Sequence, residues 1–599
     1  MSADPSSVEL TGAAAPAAGN RTPTGTQSTT ALAVRRLVVG FLNTATIAGF
    51  GWWLVSILSG DGFGVIDFLL VAMFLVHAPW IAVGFWNSVI GFTVLHFARD
   101  PLHHLIPLVE RARPDDPIFV GVAIIMTVRN EDPARAFLRL RTVKASIDAT
   151  GYGDRFDYFI LSDSTARDVI AAEEAEYRWW RREVPEEGRI VYRRRDRNTG
   201  FKAGNVRDFL DHWGPHYDLM VPLDADSLMT GKSIARLVRI MQANPRLGIL
   251  QSLVVGMPSQ SFFARVFQFG MRHGMRSFIA GSAWWHADCG PFWGHNAVVR
   301  VAPFREHCRL PDLPGKPPFG GHILSHDQIE AVLMRNADFE VRVYPEEEES
   351  WEEMPPAMPD FAVRDLRWCQ GNLQYLKLIG LPRKAMSKFN ILFALQMFIG
   401  VAAFFLFVVL AAVAAALWPA DVVFPTRSAL AFYLLWVFMF LTPKFAGVVD
   451  AMLRSAKVYG GVARLLLGSA FEAVFSLLLT SIAWLGQAIF MAALLFGRAI
   501  TWDAQRRDRY RLAWGEAAKV FWPHTLFALV LIAFLALTAP GAIVWFLPVL
   551  IGPLLSIPFA VVTSSPELGA LAAKWRFCAI PEEFGTPPDL ARILPRPGT

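Results

Sequence analysis

Charge is scarce in this chain: Asp, Glu, Lys and Arg make up 18% of its 599 residues, against 53% hydrophobic ones. So little charge cannot clothe an ordinary soluble protein of this length, and the mean hydropathy of +0.35 directs attention to a membrane. Cysteine is rarer still: Cys289, Cys308, Cys369 and Cys578 are its only four, with no close pair among them. That spacing excludes a cysteine-paired metal site and predicts reduced thiols. A Gly-x-x-x-x-Gly-Lys-Ser/Thr loop is absent, which removes support for an ATPase. The net charge of +5 comes without a basic block interleaved with base-stacking aromatics, so no nucleic acid is expected as a partner.

Long apolar runs are present instead. A bilayer core about 30 Å thick needs about 20 apolar residues per helix. Runs at Leu37 to Leu58 and Val65 to Phe97 meet that length, and the rest lie beyond Phe389. The expected division is a disordered Ala/Thr/Ser/Pro/Gly-rich tail at 1–31, two spans in 32–99, a polar block at 100–388, a membrane region at 389–563 and a tail at 564–599. Arg35, Arg36, Arg99, Arg111 and Arg113 flank the first two spans, which by the positive-inside rule places the polar block and both tails in the cytoplasm. Further spans are expected at Asn390 to Trp418, Leu430 to Val449, Phe521 to Thr538 and Ile543 to Val562. The run from Leu465 to Gly497 has basic loops on both sides, Arg454, Lys457 and Arg464 before it and Arg498, Arg506, Arg507, Arg509 and Arg511 after it. A hairpin of two short spans keeps both loops inside, giving about eight spans, against six without it.

The polar block alternates short apolar runs with helical patterns, the mark of an α/β fold with a largely parallel sheet. Strands are expected at Val120 to Val128, Tyr158 to Leu161, Tyr217 to Leu223 and Ile249 to Val255. The first three end in polar clusters, and ligands of such sheets bind outside the carboxyl ends of the strands. Asp224 and Asp226 are two carboxylates at one strand end, suited to Mg²⁺ or Mn²⁺ on a nucleotide diphosphate, although Asp-x-Asp also occurs in solvated turns. Asp163 is either a turn cap or an acceptor for a base or ribose. The glycines around Lys202 allow close backbone approach, while Lys202 offers a cation to phosphate. Asp327 opens a helical pattern, as a dipole-favoured surface carboxylate or as a general base. Arg364, Arg367 and Trp368 share one helix face by spacing, as an interfacial stripe or as a clamp for diphosphate and sugar. Trp284, Trp285, Trp293 and Trp351 are either sugar-stacking faces or core.

The order Asn130-Glu131, Asp163, Lys202-Ala203-Gly204-Asn205, Asp224-Ala225-Asp226, His326-Asp327, Arg364-x-x-Arg367-Trp368 resembles the processive family-two glycosyltransferases, which include cellulose and hyaluronan synthases. Phe292-Trp293-Gly294-His295-Asn296-Ala297 and Arg367-Trp368-Cys369-Gln370-Gly371-Asn372 look most like the bacterial glucosyltransferases of osmoregulated periplasmic glucans. Thr127 and Arg364 depart from the wider family, which usually has Pro and Gln there. The resemblance implies a polytopic inner-membrane enzyme with a cytoplasmic glycosyltransferase-A domain, dependent on Mg²⁺ or Mn²⁺. It implies that Glu131 and Asp163 bind uridine, Lys202 and Asn205 line the donor pocket, and Asp224 and Asp226 hold the metal-diphosphate. Asp327 would be the base, with Arg364, Arg367 and Trp368 holding diphosphate and acceptor. The partners it implies are UDP-glucose, a growing β-linked glucan chain with β-1,2 linkages, membrane lipids and periplasmic glucan-processing proteins. Competing readings are another polysaccharide synthase, a lipid glycosyltransferase, and a transporter or scaffold with an inactive nucleotide-binding domain.

Overall fold

The computed structural model describes residues 29–184, 189–500 and 510–594. Most of the expected N-terminal tail, and Arg506, Arg507 and Arg509, lie outside the described residues.

Two apolar helices come first, α1 (Thr29–Leu58) and α2 (Val65–Phe97), followed by the short α3 (Pro101–Leu105), which Asp100 caps. The polar block then runs β1 (Val122–Val128), α4 (Pro133–Asp148), β2 (Phe156–Ser162), α5 (Arg167–Glu183), β3 (Ile190–Arg194), α6 (Phe201–His212), β4 (Leu219–Asp224) and β5 (Leu228–Met229). It continues through α7 (Gly231–Ala243), β6 (Leu247–Ser252), β7 (Val255–Gly256), α8 (Phe262–His286), β8 (Ala297–Arg300) and α9 (Val301–His307). α10 (His326–Asn336), β9 (Glu340–Tyr344), β10 (Ser350–Glu352) and α11 (Met358–Leu373) close it.

Seven strands form one sheet in the order β3-β2-β1-β4-β8-β6-β9, with only β8 antiparallel to its neighbours. The expected mostly parallel α/β sheet is therefore present. The strands read as unbroken apolar runs because both faces are covered. Ile124 and Met126 of β1 point into one core with α4 and α7, while Ala123 and Ile125 point into a second with α6. A three-stranded sheet, β5-β10-β7, sits beside the end of β4.

The C-terminal region holds α12 (Ala385–Leu417), α13 (Thr426–Ser455), α14 (Val462–Leu495), α15 (Trp514–Thr538), α16 (Ile543–Leu554) and α17 (Ser556–Thr563). Among the described residues six helices, α1, α2 and α12 to α15, are long and apolar enough to cross a bilayer, which makes this a membrane protein. The segment Pro540–Leu554 and α17, bent by 49° at their junction, can supply a seventh crossing. The predicted hairpin at 465–497 is corrected: α14 is one continuous helix. Its run contains no proline, and its two glycines are used for packing, Gly468 against Phe269 and Gly486 against His524. Yet both ends of α14 lean on the polar block. Leu465 shares a buried cluster with Phe263 and Phe269 of α8, while Leu494 packs with Cys369 and Leu373 of α11, and Ile500 N–H donates to Gln370 at 2.9 Å.

Arg35 and Arg36 do more than mark orientation. Arg35 donates to the carbonyl of Trp284 and Arg36 to those of Trp285 and His286, so the first membrane helix caps the otherwise open carbonyls at the end of α8. After α17 the chain returns to the polar block as α18 (Pro566–Lys574) and α19 (Pro588–Ile593), the latter with Leu590 fully buried in the core shared with α4.

Candidate active site

The carboxyl ends of β1, β2 and β4 lie side by side, and their loops are tied together by short polar residues. Asn130, in the left-handed region at φ 53°, accepts from the N–H groups of Thr165 and Ala166 and donates its own N–H to Ser164 Oγ. Half-buried Glu131 follows it. Asp163, 4% exposed, receives both Nε and Nη2 of Arg195 at 2.7 Å, a bidentate pair that also anchors the loop leading to Lys202 through Arg195 to the carbonyls of Thr199 and Phe201. Sequence reasoning did not single out Arg195, which stands third in the run Arg193-Arg194-Arg195 with nothing in the sequence to set it apart.

Asn205 Nδ2 donates to the Leu161 carbonyl at 2.9 Å and its Oδ1 accepts from Arg193 at 2.6 Å, and the residue is 1% exposed. It is a strut between α6, β2 and β3, and the donor-pocket role expected of it rests on the resemblance alone. Lys202, by contrast, reaches the site and forms an ion pair with Asp224 Oδ1.

Asp224 ends β4 and Asp226 lies two residues on, in a turn closed by Ser227 N–H to the Asp224 carbonyl. Arg139 pins the turn by donating to the Ala225 carbonyl at 2.6 Å, and Thr127 Oγ1 lies 3.4 Å from Asp224 Oδ1. Ser227 Oγ sits 3.2 Å from His295 Nδ1, whose Nε2 is 3.4 Å from Glu352 on β10. His295 had no assigned role in the sequence; only the Phe-Trp-Gly-His-Asn segment drew attention to it. Among the described residues, no three His, Cys, Asp or Glu side chains gather as a complete metal cage. Two carboxylates with a lysine ammonium already resting on one of them suit a divalent ion whose other ligands come from a diphosphate.

Asp327 lies in the first turn of α10, and Gly294 brings it to the same place. At φ 78° Gly294 runs so close that a Cβ there would stand 3.4 Å from Asp327 Cβ and 3.7 Å from Lys202 Nζ. Burial disfavours charge on the neighbouring His326, but Glu330, 2.9 Å from its Nδ1, outweighs that and holds the imidazole pKa above its usual value.

α11 reaches this cluster by backbone contact. A Cβ at Gly371 would fall 2.1 Å from Ser325 Oγ, so only glycine lets the helix lie against Ser325-His326-Asp327. The predicted single face of Arg364, Arg367 and Trp368 divides in two. Arg364 stacks over Trp368 at 5.1 Å, with Trp368 48% exposed, while Arg367, one position before the indole and so about 100° around the helix, is turned inward at 5% exposure. Beside them Asp365 contacts Gln487 of α14, and burial raises its pKa to about 6. Trp285 and Trp351 are core residues, at 4% and 1% exposure, and so offer no stacking face. All four cysteines are buried and unbridged.

Residues 123–308 match the family model described as glycosyl transferase family 2, and residues 219–566 match that described as glycosyl transferase family group 2. The glucans biosynthesis glucosyltransferase H of Xanthomonas campestris pv. campestris is 35% identical over 582 residues, covering 93% of this chain and 88% of its own length. Its namesake from Pseudomonas putida is 33% identical over 93% of this chain and 69% of that protein. Among solved structures, a mannosyltransferase from Pyrobaculum calidifontis in complex with GDP-Man and Mn²⁺ aligns with a TM-score of 0.41 and 15% identity, over 65% of this chain and all of that one. These likenesses agree with the parallel sheet, the strand-end carboxylates and the long apolar helices: the chain belongs to the glucans biosynthesis glucosyltransferase H family, and is a membrane-bound family-two glycosyltransferase.

Proposed function

We propose that this enzyme transfers glucose from UDP-glucose to the end of a growing β-linked glucan with inversion at C1, at a site on the cytoplasmic face of the bacterial inner membrane. The observation that carries the reading is the meeting of Asp224, Lys202 and Asp327 around Gly294, which sets a phosphate-binding cluster beside a candidate base. Asp163 and Glu131 border the space for the uridine, and Lys202 leaves Asp224 for the diphosphate when the donor binds. Mg²⁺ or Mn²⁺ held by Asp224 and Asp226 would supply Lewis-acid stabilisation of the leaving UDP. Asp327 takes the proton of the acceptor hydroxyl as that oxygen attacks C1 from the face opposite UDP, which gives the β-linkage. The guanidinium of Arg364 offsets developing charge while the exposed ring of Trp368 offers the acceptor a stacking face.

The linkage we infer is β-1,2, with delivery of the chain to the periplasm, where other glucan-processing proteins act on it. Incubating the purified protein in lipid with UDP-glucose and Mg²⁺, then sizing the glycan and analysing its linkages, tests this reading. A β-linked polymer is expected. A single-sugar product extractable into organic solvent would reassign the enzyme to lipid glycosylation, and full turnover in excess chelator would remove the metal from the reaction.

A further inference from the structure

The chain beyond residue 566 lies outside both family-model matches, yet it is built into the catalytic block. α18 leaves the membrane region against the start of α8: Gly569 lies where a Cβ would meet the Gln260 carbonyl at 2.1 Å. Arg265 of α8 then takes hold of the segment, donating to the Phe577 carbonyl at 2.6 Å and pairing with Glu583 at 2.5 Å. Farther on, Asp589 accepts from Ser146 Oγ at 2.5 Å and Leu590 fills the core beneath the sheet.

Between these anchors lies Glu582, 6% exposed. Its Oε1 accepts from Trp351 Nε1 at 3.1 Å and pairs with Arg272 at 3.0 Å. Trp351 is the central residue of β10, and its neighbours on both sides lead to the site. Ser350 Oγ accepts from Asn296 at 2.9 Å, and Glu352 faces His295, the residue against Ser227 in the Asp224–Ser227 turn. β10 itself is three residues long and joins two-residue strands on either side, so its ladder alone holds it weakly. A buried indole with its N–H on a buried carboxylate is a firmer fixture.

We propose that the C-terminal segment 577–594 is a positioning strap for the donor site, in which Glu582, through Trp351, sets the seat of Glu352 and His295 beside the diacid turn. This rests on the glycosyltransfer reading above. Glu582 touches no reactant, so its effect should appear in how the donor and metal are held. Glu582→Ala and Trp351→Phe should each raise the UDP-glucose KM and the half-saturating Mg²⁺ concentration about tenfold, the scale of coupling inside one polar network, with kcat changed far less. Glu582→Gln, which keeps an oxygen for the indole N–H, should restore most of the loss.

A double-mutant cycle separates positioning from general stability. In a Glu352→Gln background, Glu582→Ala should add little, whereas an additive loss would overturn the proposal. Hydrogen exchange of 295–297 and 350–352 needs no substrate. Faster exchange there in Glu582→Ala, with the membrane helices unchanged, supports the strap even if the wild-type protein proves inactive on UDP-glucose, which would sink only the functional reading. Unchanged exchange at both places would sink the strap itself.

Discussion

The two halves of the candidate site are held together by different means. On the proposed donor side, at the ends of β2 and β4, the carboxylates already lie against protein cations: Asp163 carries Arg195 and Asp224 carries Lys202. On the acceptor side, at α10 and α11, the parts meet where a side chain is missing, at Gly294 and Gly371. Ion pairs can exchange partners as a charged ligand arrives. A backbone contact cannot, and so it fixes geometry. On the proposed function, the donor half is arranged to release and recapture charge, and the acceptor half to keep Asp327 in register with α11.

Four substitutions probe that difference. Asp327→Asn preserves size and removes the proton acceptor, so kcat should fall about 10²- to 10⁴-fold while UDP-glucose affinity, set on the donor side, stays near wild type. Steady-state kinetics with a separate UDP-glucose binding assay checks this; near-normal polymerisation would reduce Asp327 to a helix-start carboxylate. Gly371→Ala forces α11 off Ser325 and should cost about 10²-fold in rate through misplacement of the acceptor side, with donor binding again spared. Equal damage to both constants would show that the halves are not separate.

Lys202→Met belongs to the other half. It should raise donor KM about tenfold, the loss expected for one charge-assisted contact, and leave kcat nearly unchanged. The smallest effect concerns pH. Burial raises Asp365 from the usual 3.8 to about 6, so the folded protein holds that proton more tightly than the unfolded chain does. The stability from protonated Asp365 is fully present below 3.8 and is lost as pH rises through about 6. Thermal unfolding followed across that window should show the decline, and Asp365→Asn should flatten it.

The donor side was the more legible half in the sequence. Polar clusters following apolar runs mark strand ends, and the fold brings those ends together whatever the intervening helices are, so the neighbouring placement of Asp163, Lys202 and Asp224 was readable. That of Asn205 was not, because the carbonyl that consumes its amide belongs to Leu161, 44 residues away. The acceptor side needed three dimensions. Spacing placed Arg364, Arg367 and Trp368 on one face, but burial turned Arg367 inward. The hairpin expected at 465–497 came from weighing loop charge and run length, which carry no information about helix contacts. α14 returns to the polar block at both ends without a turn.

The capping of α8 by the first membrane helix bears on how the protein is made. The Trp285 carbonyl that Arg36 caps is 249 residues downstream. At about 5–20 residues per second, a ribosome takes roughly 10 to 50 s to cover that distance. Through that interval α1 has been synthesised while its final partner does not yet exist, so the two arginines can reach those backbone carbonyls only afterwards. Assembly of the finished enzyme thus has a fixed order, with the anchor waiting for the domain that it will later hold.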